Sequence, residues 1–280
     1  MGKTLYVSDL DGTLLQPDAK LSDETVRMLN EFIAAGGLFT IATARTPATV
    51  ASIMERVNLN LPAIVMTGAA LWDKATGRYS RERLFDPATA ERLLKVYRDT
   101  DTSTFVYSLR HDMLYIRHIG GMWGVQKEFI EERSHTPYKK VLVDENGKSE
   151  FPDVLDDMIL LYTMLPNDQA LATYELTRDM PGVRAQYYHD IYGPEVGILE
   201  AFSSEATKAK AMRALAAKIG ADRIVAFGDN INDLPMMREA DVAVAVGNAL
   251  PEVKSAASLV IGPNTENSVA KFILSDPAVS

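Results

Sequence analysis

The sequence predicts an α/β protein in which an open parallel sheet is interrupted by an inserted α+β unit. Three observations lead to this prediction. Short apolar strands alternate with helices at both ends of the chain, antiparallel signals occur in the middle, and hydrophobic residues make up 47% of the 280 residues. That hydrophobic content is ample for a packed core. Strands that alternate with helices are typical of a parallel sheet with crossover connections.

The N-terminal part of the chain shows this alternation clearly. Ser22 is a predicted helix N-cap, and Asp23 and Glu24 in the first turn lie at the positive end of the helix dipole. The helix is expected to end at Gly36-Gly37, and Thr46-Pro47 opens the next one. The predicted strands are the apolar runs 4–8, 38–43 and 63–67.

The middle of the chain predicts a different arrangement. Apolar runs at 104–109 and 113–118 are joined by a short turn, which indicates an antiparallel hairpin. Asp86-Pro87 and Pro166 each introduce a helix, and a turn is predicted at Asn146-Gly147. Further strands are predicted at 158–164 and 183–188. We therefore interpret 84–192 as a separate α+β domain, inserted into a discontinuous domain formed by 1–83 and 193–280.

The parallel pattern returns after Ser203. A helix is predicted from about Glu205 to Lys218, and Gly220 follows its end. Short apolar strands are predicted at 223–229, 241–246 and 258–262, with helices between and after them. Both ends of the chain therefore contribute to one sheet.

Composition excludes several classes of function. The formal net charge is −9, which disfavours nucleic acids and anionic membranes as partners. The absence of cysteine excludes disulfides, thiolate metal sites and cysteine nucleophiles. No signal peptide and no apolar run long enough to span a bilayer are found. We expect a soluble cytoplasmic protein that is a monomer or a weak homo-oligomer.

Polar residues collect where the predicted strands end. Ligands of open α/β sheets bind outside the carboxyl ends of the strands. Lys208 lies near the start of the helix that returns to the first domain, and helix starts favour anions. The residues that follow the strands are Asp9, Asp11, Thr43, Arg45, Asp229, Asn230, Asn232 and Asp233.

This set of side chains fits phosphoryl transfer. Carboxylates from different strand ends bind a hard dication such as Mg²⁺, which would offset their mutual repulsion. One carboxylate can act as a nucleophile, and a second can act as a general acid and base. Lys208 and Thr43 would hold phosphoryl oxygens. Taken alone, each motif also fits an ordinary structural role: a turn or loop for the acidic motifs, and a solvated helix residue for Lys208. The functional prediction depends on their joint arrangement.

The motifs resemble those of the haloacid dehalogenase (HAD) superfamily of phosphohydrolases, and more narrowly the Cof-type phosphatases with a C2-type (IIB) cap. The matching stretches, in chain order, are DLDGTLL, TIATARTP, EATKAKAMRAL, VAFGDNINDLPMM and AVGNALPEVKSAA. The resemblance covers both ends of the chain and is weak across 84–192. It implies a Rossmann-like, doubly wound parallel core, with 84–192 as an inserted cap that closes over the strand ends.

The resemblance also implies a role for each matched residue. Asp9 would be the nucleophile and a magnesium ligand. Asp11 would be the general acid and base, with its backbone carbonyl on the metal, and Asp229 would be the third protein ligand. Asp233 would orient Lys208 or metal-bound water. The implied phosphate and substrate contacts are Thr43, Arg45, Lys208 and Asn232.

The chain departs from the family pattern at three places. Ala44 stands where the second motif has glycine, Thr67-Gly68 stands where Asn-Gly is frequent, and Asn267-Ser268 replaces an Asp-Gly. A methyl group in place of a hydrogen restricts the backbone, so a shifted turn is expected at Ala44. None of the three departures removes a catalytic group.

The expected function is a magnesium-dependent phosphatase of small phosphorylated metabolites, with sugar phosphates as the favoured class. The alternatives are a phosphomutase of hexose phosphates and a non-catalytic binder of phosphorylated ligands. The loop 120–124 is interpreted either as flexible or as an apolar contact surface. Candidate contacts to the leaving group in the inserted unit are Arg110, His111, Arg117, His118, Tyr187, Tyr188 and His189.

Overall fold

The structure, a computed structural model, describes residues 2–80, 83–133, 137–143, 156–190 and 193–277. The chain divides into two compact units. Unit 1 comprises Met1–Ser80 and Thr207–Ser280, and unit 2 comprises Arg81–Ala206. The turn predicted at Asn146-Gly147 lies outside the described residues.

Unit 1 contains a five-stranded parallel sheet in the order β13-β12-β11-β1-β2. The two halves of the chain meet at its centre, where Leu5 of β1 pairs with Ile224 on one side and with Leu38 on the other. The predicted fold class is therefore confirmed. The strands are β1 (Thr4–Ser8), β2 (Leu38–Ile41), β11 (Arg223–Gly228), β12 (Val242–Ala245) and β13 (Leu259–Val260).

The strand predicted at 63–67 is shorter than expected. It forms β3 (Ala63–Val65), which pairs antiparallel with β4 (Ala70–Trp72). A single parallel bridge, Ala42 to Ile64, links β3 to the chain just after β2. The pairing ends at Val65 because the next residues enter a tight turn with left-handed backbone conformation.

The helices of unit 1 begin where capping residues predict. The Ser22 hydroxyl accepts a hydrogen bond from the Thr25 N–H at 3.0 Å, which satisfies one of the free amides at a helix start. The helix predicted from Glu205 begins three residues later, with Thr207 as its N-cap, and ends at Gly220 in the left-handed region. The helices are α1 (Asp23–Ala34), α2 (Pro47–Ile53), α6 (Lys208–Ile219), α7 (Leu234–Glu239), α8 (Pro251–Ala256) and α9 (Ser268–Ser275).

The core of unit 1 lies between the sheet and α6. Val7 of β1 and Ala226 of β11 pack against Met212 and Leu215 of the helix, and all four side chains are at most 1% exposed. Because α6 is held by this apolar stripe, its first residue, Lys208, has a fixed position relative to the strand ends.

Unit 2 contains a six-stranded sheet in the order β7-β6-β5-β8-β10-β9. All neighbours are antiparallel except β6 and β7. The predicted hairpin is confirmed, and its turn residues His111 and Asp112 both have positive φ. The strands are β5 (Thr104–Arg110), β6 (Met113–Ile119), β7 (Lys139–Val143), β8 (Met158–Pro166), β9 (Val183–Asp190) and β10 (Gly193–Ser203).

Strand β10 explains why the units divide at a different point from the predicted domains. We predicted boundaries at 83/84 and 192/193, whereas the compact units divide at 80/81 and 206/207. Residues 193–203 pair with β8 and β9, so they belong to the sheet of unit 2.

Helices cover both faces of the unit 2 sheet. Leu93 and Leu94 of α3 (Pro87–Asp99) pack against Val106 and Leu199 of the sheet. Phe129 of α4 (Gly124–Arg133) packs against Phe105 at a ring-centroid distance of 4.9 Å, on the other face. The third helix, α5 (Asn167–Thr177), follows Pro166 as predicted. Within the described parts of both units, no helix combines the length and apolar character needed to cross a membrane.

Candidate functional site

The chain leaves β1 through an irregular turn, Leu10–Leu14, which carries the first motif. Asp9 lies at the end of the strand and is only 6% exposed. Its backbone N–H donates to the carbonyl of Phe227 at 3.1 Å, so the sheet fixes its position. Gly12 has φ 78°, and a Cβ there would lie 2.3 Å from Asp229 Oδ2. Only glycine allows the turn to approach Asp229 this closely.

Lys208 joins two buried carboxylates. Its Nζ donates to Asp9 Oδ1 at 2.6 Å and to Asp233 Oδ1 at 2.8 Å. The lysine is 3% exposed and Asp233 is 0% exposed. The other oxygen of Asp233 accepts the backbone N–H groups of Asp229 and Asn230, both at 3.2 Å. Asp233 therefore holds Lys208 against Asp9, consistent with the predicted orienting role.

The charges in this cluster are strongly perturbed. Burial raises the pKa of Asp9 to about 7, although Lys208 opposes the shift. Burial alone would lower the pKa of Lys208, but Asp9 and Asp233 outweigh that effect and raise it. Burial also raises the pKa of Asp229, against a hydrogen bond from Thr13. Perturbed groups of this kind are frequent at functional sites.

Three carboxylates of this site are close enough to share a cation. Asp9, Asp229 and Asp233 each offer an oxygen, and these oxygens lie within 4.8 Å of one another. The predicted metal set contained Asp11 in place of Asp233, with Asp11 acting through its backbone carbonyl. Hard oxygen donors of this kind suit Mg²⁺, so the residues present fit the implied metal.

The Asp11 carboxylate is held by Arg45. The guanidinium donates through Nε to Asp11 Oδ2 at 2.8 Å and through a terminal nitrogen to Oδ1 at 2.6 Å. These hydrogen bonds raise the pKa of Arg45. A paired geometry of this kind fixes the direction of a carboxylate as well as its charge. The Asp11 side chain is 54% exposed, so it remains accessible.

Thr43 lies at the end of the neighbouring strand and is 1% exposed. Its hydroxyl accepts the backbone N–H of Arg45 at 3.1 Å. Ala44 has a negative φ, unlike the residues in the left-handed region. The expected backbone shift at Ala44 is therefore not required, because an alanine adopts this conformation without strain.

The departure at Thr67 has a clearer structural effect. Met66 and Thr67 have φ 49° and 57°, a conformation that is costly for a β-branched residue. A Cβ on the following Gly68 would lie 2.2 Å from the Thr207 carbonyl. The turn thus packs directly against the start of α6. Thr67 N–H donates to the Thr43 carbonyl at 2.9 Å, which connects Thr43 to the Lys208 helix.

Asn232 is exposed and lies in the short helical turn Ile231–Asp233. It directly precedes the buried Asp233 in sequence. Its predicted contact with phosphate stays a prediction.

Sequence reasoning assigned no role to Asn248. Its Nδ2 donates to the carbonyl of Gly12 at 2.7 Å, inside the turn of the first motif. The residue lies within AVGNALPEVKSAA, one of the stretches that carried the family resemblance. Its position in that stretch is the sequence signal that could have identified Asn248 as a functional residue.

The candidate contacts in unit 2 differ in accessibility. His118 is 1% exposed and hydrogen-bonded to Gln126, so it is part of the core of unit 2. Arg110 pairs with Asp157 at 2.9 Å. The Tyr187 hydroxyl donates to Asn167, while Tyr188 is 44% exposed. The exposed candidates that remain are His111, Tyr188 and His189. Arg117 is half-buried, and in the loop 120–124 the Trp123 N–H donates to Gln126.

Comparison with known proteins gives one family. The model of the haloacid dehalogenase-like hydrolases matches residues 6–273. A 5-amino-6-(5-phospho-D-ribitylamino)uracil phosphatase, YcsE of Bacillus subtilis, is 25% identical over 96% of this chain and 94% of its own. The pyridoxal phosphate phosphatase YbhA of Escherichia coli is 27% identical over 95% of this chain and 96% of its own.

The solved structures show the same fold. The HAD subclass IIB sugar phosphatase BT4131 aligns with a TM-score of 0.67 at 18% identity, over 97% of this chain and 98% of its own. The match of the family model does not depend on this structural similarity. It covers all the strand-end residues described above. From the buried Asp9–Lys208–Asp233 cluster and these matches, we conclude that the chain belongs to the haloacid dehalogenase-like hydrolase family and is a phosphatase.

Proposed function

We propose that the protein is a magnesium-dependent phosphatase of small phosphorylated metabolites, with sugar phosphates as the favoured class. The observation that carries the proposal is the buried Asp9 carboxylate, with Lys208 Nζ 2.6 Å away and Asp233 behind it. The relatives support small phosphorylated metabolites as substrates, because YcsE and YbhA are both phosphatases of small phosphate esters.

In the proposed mechanism, Asp9 attacks the phosphorus and forms an aspartyl-phosphate. The bond to the leaving oxygen breaks, and Asp11 donates a proton to that oxygen. Asp11 then accepts a proton from water as the water attacks the phosphoryl group. The bond between phosphorus and the Asp9 oxygen breaks, which releases free phosphate and restores the Asp9 carboxylate, and the proton taken from water restores the acid form of Asp11.

Other residues would hold the substrate during both steps. Lys208, Thr43 and Asn232 are proposed to bind phosphoryl oxygens, and Lys208 would stabilise the charge that they carry. Arg45 is proposed as a further substrate contact. Because Arg45 donates two hydrogen bonds to Asp11, it also fixes the direction of the Asp11 carboxyl group.

Magnesium is proposed to bind through Asp9, Asp229 and the backbone carbonyl of Asp11. The ion would neutralise negative charge on the phosphoryl group. The three close carboxylates support this proposal, since like charges at such distances need a cation to offset their repulsion. Lys208 supplies one positive charge to the cluster, on the side of Asp9 and Asp233.

The proposal is tested by phosphate release from a panel of phosphate esters, with and without magnesium. We expect magnesium-dependent release by the wild-type protein and none by Asp9→Asn, with an unchanged circular dichroism spectrum. Retained activity in Asp9→Asn would exclude Asp9 as the nucleophile. Interconversion of sugar phosphates without free phosphate would identify a phosphomutase instead. Binding of esters without turnover would identify a non-catalytic binder.

A further inference from the structure

The turn that carries Asp11 is held by hydrogen bonds from residues in the C-terminal part of the chain. Three asparagines take part, and we call them the asparagine clamp: Asn248, Asn264 and Asn267. They follow β12 and β13 in sequence, and the mechanism described above uses none of them.

Asn248 makes the contact nearest to Asp11. Its Nδ2 donates to the Gly12 carbonyl at 2.7 Å, and its Oδ1 accepts the Asn264 backbone N–H at 2.9 Å. Gly12 directly follows Asp11. The Asn248 amide therefore bridges the turn of the first motif and the loop after β13.

Asn264 holds the other end of the same turn. Its Nδ2 donates to the Leu15 carbonyl at 2.7 Å, and the Asn264 side chain is buried. The carbonyl of Asn264 accepts a hydrogen bond from Gln16 Nε2 at 3.2 Å. Asn248 therefore holds the turn at Gly12, and Asn264 holds the chain at Leu15, directly after the turn.

Asn267 fastens the segment that follows the turn. It has φ 58°, a conformation that asparagine tolerates better than most residues. Its Oδ1 accepts hydrogen bonds from Gln16, Ser22 and Thr25, at 3.2, 2.7 and 3.1 Å. The segment that follows the turn is therefore tied to the loop after β13.

The turn is also held by its buried residues Leu10, Thr13 and Leu14, and its hydrogen bonds lie on either side of Asp11. Leu15 N–H donates to the Leu10 carbonyl at 2.9 Å, and the Thr13 hydroxyl donates to Asp229 at 3.0 Å. Asp11 lies between these contacts, with a largely exposed side chain held by Arg45. A general acid must lie within hydrogen-bonding reach of the leaving oxygen, and a misplacement of about 1 Å can cost a hundredfold in rate.

We propose that Asn248, supported by Asn264 and Asn267, is a positioning residue for Asp11. It holds the Gly12 carbonyl so that the carboxyl group of Asp11 meets the leaving oxygen of the substrate. The catalytic part of this inference rests on the proposed function, whereas the clamping part concerns the fold alone. Two experiments separate these parts.

The first experiment measures backbone hydrogen–deuterium exchange in the full-length protein without substrate. We compare wild type with Asn248→Ala and Asn264→Ala. Asn30→Ala is a matched control, because Asn30 Nδ2 also donates to a backbone carbonyl, of Arg56 at 2.9 Å, and its Oδ1 accepts a backbone N–H. Peptides covering 10–16 should exchange about fivefold to tenfold faster in both clamp variants. They should be unchanged in Asn30→Ala.

The second experiment measures kcat/KM for an alkyl phosphate and for 4-nitrophenyl phosphate. The nitrophenolate leaves without protonation, whereas the alkoxide needs an acid. Asn248→Ala should therefore lose at least about tenfold more on the alkyl ester than on the aryl ester. A loss of stability or of folded protein would lower both values equally, and Asn30→Ala should lower neither.

Unchanged exchange at 10–16 in Asn248→Ala would overturn the clamp. Faster exchange with equal losses on the two esters would overturn the positioning of Asp11. If the wild-type protein hydrolyses neither ester, the proposed function fails, and the exchange result still decides whether the clamp exists.

Discussion

Each unit of the molecule buries a polar cluster, and the two clusters are built from different chemistry. In unit 1 the cluster is charged, with Lys208 between the carboxylates of Asp9 and Asp233. In unit 2 it consists of Ser103, His118 and Gln126, at most 5% exposed. The two clusters are equally inaccessible, so burial alone does not distinguish a reactive site from a structural one.

The unit 2 cluster is saturated with hydrogen bonds. Gln126 Nε2 donates to Ser103 Oγ at 2.7 Å and to the Met164 carbonyl at 3.0 Å. Its Oε1 accepts the Trp123 N–H at 2.9 Å and lies 3.1 Å from His118 Nε2. Neutral groups that satisfy one another in this way specify the packing of a core. Buried charges are costly to desolvate, and removing one partner of a buried pair leaves the other uncompensated.

The largest effect is expected from Lys208→Met. The substitution leaves the carboxylates of Asp9 and Asp233 buried without their cation, so the free energy of unfolding should fall by about 3–5 kcal/mol. Phosphatase activity should also be lost. The measurements are urea unfolding of the magnesium-free protein and phosphate release. Lys210→Met, an exposed change in the same helix, is the control. Equal stability of the two variants would contradict the importance of the buried ion pair.

A smaller effect is expected from Gln126→Leu in the neutral cluster. The leucine fills a similar volume but removes the partners of Ser103, the Trp123 N–H and the Met164 carbonyl. The free energy of unfolding should fall by about 2–3 kcal/mol, because buried polar groups lose their hydrogen bonds. Calorimetry or urea unfolding measures this. A neutral or stabilising result would show that the cluster is dispensable for packing.

His118 predicts a pH dependence opposite in sign to that of Asp9, whose raised pKa makes the folded protein bind more protons than the unfolded chain between 3.8 and about 7. Burial lowers the pKa of His118, so between that pKa and about 6.5 the unfolded chain binds more protons than the folded one. The contribution of His118 to stability is therefore present above about pH 6.5 and is lost as the pH falls below it.

Unfolding curves at several pH values between 5 and 8 test this dependence. His118→Gln should show a shallower loss of stability at low pH than wild type, whereas the exposed His111→Asn should behave like wild type. Parallel curves for wild type and His118→Gln would exclude His118 as the source.

The smallest effects are expected from removing surface ion pairs, a feature that the two units share. Arg27 pairs with Glu31 in unit 1 and Lys95 with Asp99 in unit 2, and all four side chains are at least 55% exposed. Arg27→Gln and Lys95→Gln should each change the unfolding free energy by less than about 0.5 kcal/mol. Thermal melts measure these changes. A loss of more than 1 kcal/mol in either variant would show that the pair is coupled to the interior.

The charged cluster was predictable from sequence, and the clamp was not. The motifs around Asp9 and Lys208 indicate phosphoryl transfer when they are taken together, and the structure places the two side chains in contact. Asn248 contacts Gly12 from 236 positions away. The stretch around Asn248 carries the family resemblance but does not indicate this partner, so only the fold shows the contact.

The sequence analysis did not predict strand β10, and the reason is also physical. Ile198, Leu199, Ala201 and Phe202 are all at most 1% exposed. Because both faces of the strand are buried, the alternation of polar and apolar residues that marks a half-buried strand is lost. The predicted strands β1, β5 and β6 were recognised because each is a short apolar run bounded by turn residues.

The order of the strands along the chain also bears on protein synthesis. β1 pairs with β11, yet residues 9–222, about 210 residues, must be translated between them. At roughly 5–20 residues per second this takes about 10–40 s. During that interval one edge of β1 lacks its hydrogen-bonding partner, and the Asp9 carboxylate lacks its lysine. The nascent chain therefore exposes one edge of an apolar strand, to which another chain could pair, until β11 has been made.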